Sequence, residues 1–180
     1  IESIRECVNA RSRQNKILDV AEDKIEIKIY KYDLLENKII IIKLDENDDF
    51  PPELNGLLAM RLCSRYKRPV LVLRENEDGE LKGSARGINN GPIPSLKNFL
   101  MDSGYFEYCI GHDFAFGSCI KEKDLSRFYE YANKELENVK LDENCFDVNF
   151  IRAAADSDIC NIIFEIIKYE NIWGQGLPEP

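Results

Sequence analysis

Apolar positions along this chain recur with two different periods, and the switches between them divide it into helices and strands. Through "IESIRECVNARSRQNKILDVAEDKI", Ile4, Val8, Ile17, Val20 and Ala21 return at roughly helical spacing with no glycine or proline between them. That predicts one long opening helix. "IEIKIYKY" then alternates apolar with polar, as a half-buried strand does, and "KIIIIKL" is a continuous β-branched run that suits a central strand. Glu36 and Asn37 hold the turn between them. "PELNGLLAMRLCSRY" sets Leu57, Leu58, Leu62 and Cys63 on one helix face. Pro69 ends that pattern and opens the buried strand "PVLVLRE". "EDGEL" is a turn signal, and "LKGSARGI" predicts a strand running into a glycine-rich bend.

Ser95 to Ser103 reads as a short helix closed by Gly104, and "YFEYCIG" and "AFGSCIK" read as strands flanking a turn that holds His112. "EKDLSRFYEYANKELENV" is amphipathic, with Leu125, Phe128, Tyr129, Ala132 and Leu136 inward. "CFDVNFIRAA" alternates like a strand, "SDICNIIFEIIKYE" predicts a last helix, and the tail "NIWGQGLPEP" is turn-rich. The predicted order is α-β-β-α-β-β-α-β-β-α-β-α. This is the α/β class, a mixed β-sheet flanked by helices and preceded by a long helix; the implied hairpins are what make the sheet mixed.

Composition narrows the classes. With 180 residues, 44% of them hydrophobic, the chain can bury a core, as one domain of ordinary size or one with an appendage. No apolar run approaches the roughly eighteen residues that a bilayer crossing needs, and Glu2, Arg5 and Glu6 break up any apolar leader. The expectation is a cytoplasmic chain, and its opening on Ile1 in place of methionine predicts a piece of something longer. The six cysteines, Cys7, Cys63, Cys109, Cys119, Cys145 and Cys160, contain no Cys-x-x-Cys pair, and a single histidine cannot complete a zinc site. Buried reduced thiols are expected. A net charge of −9 argues against a generic nucleic-acid coat protein, so any nucleic acid must be met through a local basic groove. Arg5, Arg11, Arg13 and Lys16 make the opening helix the most basic stretch, with a solvated face and a functional one both open. The acidic run "DENDDFPP" lacks the glycine and spacing of a calcium loop and is expected to be a solvated loop.

Two small polar clusters carry the candidate chemistry. "GSARG", Gly83 to Gly87, places a hydroxyl and a guanidinium between glycines. "GHDFAFG", Gly111 to Gly117, places the imidazole of His112 in a similar setting. Glycine lets a backbone come close to a ligand, and a planar guanidinium suits bidentate contact with phosphate. If both turns lie at the same ends of neighbouring strands, Ser84, Arg86 and His112 converge on one phosphate or carboxylate. Such a set grips an anion and is not equipped to cleave anything. A lone histidine is also compatible with a core residue that merely satisfies a hydrogen bond.

The pair of clusters, followed by an amphipathic helix, resembles the DHH-associated domain of the DHH phosphoesterase superfamily, whose members carry a Ser-x-Arg-Ser turn and a Gly-Gly-His-x-x-Ala-Ala-Gly turn. "LNGLLAMRLCSRYKRPVLVLRE" is similar to the family's segment in which a helix ending in "RY" leads through "RPV" to a buried strand. "IWGQGLPEP" resembles the Phe-Gly-x-Gly-Asn-Pro-Glu-Pro signature of the RecJ branch, exonucleases that degrade single-stranded DNA from the 5′ end. "VNARSRQNKI" resembles the helix that links back to the catalytic half. Departures occur at Ile110 (first glycine of Gly-Gly-His), Phe116 (second alanine), Gly87 (serine after the arginine) and Leu177 (tail asparagine). They mark a divergent member, of the kind carried by a phage or mobile element.

The resemblance implies a division of labour. Residues 1–24 would be the linking helix, 25–140 the DHH-associated substrate-binding domain, and 141–180 an extension toward a missing OB-type domain. His112 would hydrogen-bond a substrate phosphate, Arg86 would pair with the same or a neighbouring one, and Ser84 would orient it. Gly83, Gly111 and Gly117 would allow close backbone approach. Arg11, Arg13 and Tyr105 are further candidate nucleic-acid contacts. Tyr105 and Phe106 have two readings, stacking on a base or core packing, and core packing is favoured. The family's hydrolysis uses two divalent ions, Mn2+ or Mg2+, held by an N-terminal DHH domain. With one histidine and no Asp-His-His, this chain holds no metal and no catalytic residue of its own; the full-length parent would be the enzyme. The implied partners are the 5′ end of single-stranded nucleic acid and, intramolecularly, the missing DHH domain, with no membrane. Two other readings stay open: a nanoRNase or cyclic-dinucleotide phosphodiesterase of the same superfamily, or a non-catalytic module whose acidic surface suits a protein partner.

Overall fold

The computed structural model describes residues 2–45, 48–141 and 159–168, which fall into two units, 1–144 and 145–180. The first unit opens with helix α1, Glu2–Lys31. Thirty residues at 1.5 Å per residue make it about 45 Å long. Segment 25–32, expected as a strand, is therefore helical to Lys31. Alternation of Ile25, Ile27 and Ile29 fits a strand, but Ile25 and Ile29 also stand one helical turn apart, and with no breaker before them the helix continues. Ile25 and Ile29 are buried while Ile27 is exposed. The buried face is Leu18, Ala21, Ile25 and Ile29; of the residues expected on it, Val8, Ile17 and Val20 face solvent.

Strand β1, Ile40–Leu44, pairs in parallel with β2, Val70–Glu75. Between them lies α2, Asn55–Tyr66, entered through a short 3-10 turn at Pro52–Leu54. β3 is Glu80–Arg86, followed by α3, Leu96–Asp102; Ser95 caps α3 by accepting from the Asn98 amide. β4, Phe106–His112, and β5, Ala115–Lys121, form the hairpin around the histidine turn, and α4 spans Leu125–Glu135. The sheet runs β1-β2-β3-β5-β4, with every pairing but the first antiparallel. It is the mixed α/β sheet expected.

Period-two alternation assigns the strand residues to two layers. Ile39, Ile41, Leu71, Leu73, Leu81, Ala85, Phe116 and Ile120 pack with Leu96 and Leu100 of α3 and Phe128 and Ala132 of α4. Ile40, Ile42, Leu44, Val70 and Val72 pack on the other face with Leu58, Ala59, Leu62 and Cys63 of α2 and the buried stripe of α1. Leu57, expected on the inner face of α2, is exposed. Each fully buried Leu or Ile contributes about 1.5–3 kcal/mol, so two such layers are ample for a stable core. α1 is clasped to α2 by the buried carboxylate of Glu22, which accepts from Arg61 at 3.0 Å and Arg65 at 2.8 Å. The acidic loop is not simply solvated: Lys28 of α1 bonds Asp45 at 3.0 Å and Asp48 at 2.6 Å.

In the second unit, α5 spans Ile159–Ile167, within the last helix expected. The strand expected at 145–154 and the tail signature at 172–180 lie outside the described residues.

Candidate functional site

The helices of the second layer cover β1 and β2, and α2 reaches β3; β5 and β4 are bare on that side among the described residues. Lys82, Ser84 and Arg86 of β3 alternate with the core residues Leu81 and Ala85, so they belong to this bare face. Register pairs Arg86 with Ala115 and Ser84 with Gly117 across β5. Ala115 in turn pairs with His112, and Gly117 with Ile110, across β4. Arg86 and His112 thus flank a floor of small residues. Their backbones stand two strand spacings, about 10 Å, apart.

His112 reaches this face because of a bulge. Phe106 pairs with Ile120 but Tyr108 pairs with Cys119, leaving one extra residue in β4. Phe106 is therefore in the core while Tyr108, Ile110 and His112, of the same parity, face outward; Ile110 is 71% exposed. Were β4 regular from Phe106 onward, the residues of that parity, His112 among them, would all face the core. The histidine turn is then fastened. Ser95 donates its hydroxyl to Asp113 at 2.8 Å, Lys97 donates its backbone amide to the Asp113 carbonyl at 3.0 Å, and the Lys97 ammonium reaches the Gly111 carbonyl at 3.2 Å. The two glycine turns also bond directly, the Gly87 amide donating to the Phe114 carbonyl at 2.9 Å. Ser84, Arg86 and His112 do share one face, at the same end of neighbouring strands.

Arg86 is the electrostatic centre of this face. Its guanidinium donates to the carbonyl of the adjacent Ala85 at 2.8 Å, and no carboxylate pairs with it among the described residues. Burial pulls its pKa down from the usual arginine value. Lys82, by contrast, is neutralised by Glu80 at 2.7 Å. The guanidinium lies against the first turn of α2: a Cβ on Gly56 would meet the Arg86 Nη2 at 2.5 Å and Ser84 Oγ at 3.7 Å. Beside Gly56, Asn55 is 5% exposed, and its Oδ1 has no donor among the described residues. Asn55 and Ser84 line one open cavity of about 380 Å³ together with Pro52, Arg74 and Lys82.

Comparison with known proteins finds relatives along most of the chain. The chain is 31% identical, over 99% of its length, to a protein of Bacillus subtilis (strain 168) named as an SPbeta prophage-derived single-strand DNA-specific exonuclease, YorK, of which it spans 31%. It is 28% identical over 69% of its length to the single-stranded-DNA-specific exonuclease RecJ of Haemophilus influenzae, spanning 22% of that protein. The crystal structure of Thermus thermophilus RecJ in complex with Mn2+ superposes with a TM-score of 0.63 at 18% identity, covering 98% of this chain and 25% of that one. No protein-family model matches the chain. Over nearly its whole length the chain is similar to part of the RecJ-like single-strand-DNA-specific exonucleases.

This RecJ-like chain uses its glycines unequally. A Cβ on Gly83 would lie 1.9 Å from the Val72 carbonyl oxygen, so that glycine serves the close approach of β2 and β3. Gly111, at φ +142°, has Ala115 O and Phe116 Cα within 2.8 Å of the Cβ position. Gly117 alone of the three has ordinary clearance, 3.7 Å to the nearest atom, and is the one that leaves room over the floor.

Three candidates lie elsewhere. Tyr105 is half-buried on the opposite face, 6.0 Å centroid to centroid from Tyr131 and 6.3 Å from Phe128. Phe106 is in the core, edge-on to Phe128 at 4.9 Å, as favoured. Arg11 and Arg13 are exposed on the first half of α1, before the stripe that packs on α2. No cluster of three His, Cys, Asp or Glu able to hold a metal exists among the described residues, and the site's own set of Ser, Arg and His suits an anion. No helix of the described residues is long and apolar enough to cross a membrane. Sequence reasoning missed Gly56. A glycine inside a helix costs about 1 kcal/mol against alanine and so asks for a packing reason, which is the signal "LNGLLA" carried.

Proposed function

We propose that the chain is the substrate-holding portion of a RecJ-like exonuclease, which hydrolyses single-stranded DNA from its 5′ end with Mn2+ or Mg2+ held in a separate DHH catalytic domain. Ser84, Arg86 and His112 hold substrate phosphate on the bare face of the sheet. The observation that carries this is the guanidinium of Arg86, half-buried and without a carboxylate partner among the described residues, on a strand position that pairs through Ala115 with that of His112. A guanidinium already withdrawn from water gains most from an incoming anion, and charge-assisted hydrogen bonds of this kind are worth about 1.5–3 kcal/mol. Ser84 supplies a neutral donor on the same side, and Gly117 keeps the floor low enough for phosphate oxygens to descend between Arg86 and His112. Arg11 and Arg13 extend the basic track as diffuse phosphate contacts. The relatives' specificity for single-stranded DNA supports the choice of substrate. The parent works in the cytoplasm.

An amide NMR titration at low salt tests this, comparing a 5′-phosphorylated single-stranded oligodeoxynucleotide with a linear dinucleotide. Shifts at Gly83–Gly87 and Gly111–Gly117 that are larger for the oligonucleotide and vanish in Arg86→Ala are the expected result. A preference for the dinucleotide transfers the site to the dinucleotide-cleaving members of the superfamily. No shift at either turn with either ligand removes the phosphate role and leaves a protein-binding module.

A further inference from the structure

We infer that Gly56 is a positioning residue for Arg86: the missing side chain in the first turn of α2 is what seats the guanidinium on the binding face. The inference rests on the reading of Arg86 as a phosphate contact and adds a residue that neither the motif nor the strand pattern reaches.

Gly56 lies in the second position of α2 with ordinary helical backbone, so no left-handed conformation demands glycine there. The three atoms nearest a Cβ at this position are Arg86 Nη2 at 2.5 Å, Arg86 Cζ at 3.3 Å and Ser84 Oγ at 3.7 Å, so any backbone atom of β2 or β3 comes no nearer than ordinary van der Waals contact. Glycine here therefore does not serve close helix–sheet packing, as Gly83 does for its strand pair. It makes room for the two side chains that hold the ligand. Carbon and nitrogen atoms in contact settle at about 3.5 Å, so any side chain at position 56 pushes the guanidinium away by about 1 Å. Bidentate recognition is sensitive to shifts of that size. The displaced group is the far end of a flexible side chain, so the fold can absorb the change. Alanine is the better helix former, so the fold can even gain from it. Stability and ligand binding should then move in opposite directions, which a glycine needed for packing would not produce.

The test uses the whole chain as Gly56→Ala, Arg86→Ala and the double variant, with Gly56→Ser as a second substitution. The Arg86 side-chain Nε–Hε resonance, assigned by its loss in Arg86→Ala, is compared without ligand. It is expected to move or broaden in Gly56→Ala. Affinity for a 5′-phosphorylated single-stranded oligodeoxynucleotide is expected to fall about tenfold in Gly56→Ala, with no further loss when it is added to Arg86→Ala. The thermal midpoint is expected to stay or rise. An unaltered Arg86 resonance, a loss of affinity that adds fully to that of Arg86→Ala, or a midpoint lowered in both Gly56 variants would overturn the inference. If the unsubstituted chain binds no oligonucleotide, the proposed function fails, while the resonance comparison still decides whether Gly56 seats Arg86.

Discussion

At the scale of single residues, the site is defined by what is left unpaired and what is left small. Arg86 lacks a carboxylate partner among the described residues, so its removal should cost the fold little and the ligand much. In Arg86→Ala, the unfolding midpoint should change by less than the equivalent of about 0.5 kcal/mol. The salt dependence of oligonucleotide binding should lose about 0.7 from its log–log slope, the contribution of one single-strand phosphate contact, as read by titration at three ionic strengths. Gly111 behaves oppositely. Its positive φ and the 2.7 Å approach of Ala115 O leave no place for a methyl group, so Gly111→Ala should destabilise by about 2–3 kcal/mol in urea unfolding. Burial pushes the Cys63 thiol up to about 11 and Cys109 to about 12, whereas Cys7 and Cys160 are exposed. Iodoacetamide at pH 8 should therefore modify Cys7 and Cys160 far sooner than Cys63 and Cys109, checked by peptide mass mapping. Ser84, Arg86 and His112 were legible in sequence because glycines framed them. Gly56 was not, because its partner is thirty residues away in the chain and only the fold brings them together.

At the scale of elements, most of the fold followed from periodicity, and its two failures have separate causes. Segment 25–32 satisfies both periods, and alternation alone cannot tell a strand from a helix whose i and i+4 positions are apolar. What decides is α2, which offers α1 a surface and two arginines. Glu22, buried between Arg61 and Arg65, is the fastening point. Glu22→Gln should loosen α1, costing about 1–2 kcal/mol, since both arginines keep partial access to water. Faster amide exchange along 18–29 than in the core strands would show it. The bulge at Glu107–Tyr108 was equally invisible. No turn residue or glycine marks it, yet it decides which face His112 occupies.

At the scale of the whole molecule, the −9 charge and the proposed anion-binding face are compatible because the acidic groups near the site are already engaged: Glu80 with Lys82, and Asp113 with Ser95 and Lys97. The thiols of Cys63 and Cys109 and the hydroxyl of Tyr129 are all held protonated by burial above their ordinary ranges. The unfolded chain releases those protons first, so stability should fall as pH rises above about 9, by roughly a few kcal/mol at pH 11. Lys28, whose pKa burial lowers but Asp48 and Asp45 raise by more, adds to the loss as pH climbs from its ordinary value toward its raised folded one. Denaturant midpoints at pH 8, 9.5 and 11 check the slope.

The two-residue alternation of β3, β5 and β4 gives the sequence two interleaved messages. In β3, Leu81 and Ala85 answer to the core, whereas Ser84 and Arg86 answer to whatever docks on the bare face. A saturation scan through these strands should therefore read like a zebra pattern, folding defects at one set of positions and recognition defects at the other. Along β4 the stripes should invert at Glu107–Tyr108, and a single-residue deletion there would restore strict alternation while leaving the chain's only histidine opposite Ala115 on the recognition side.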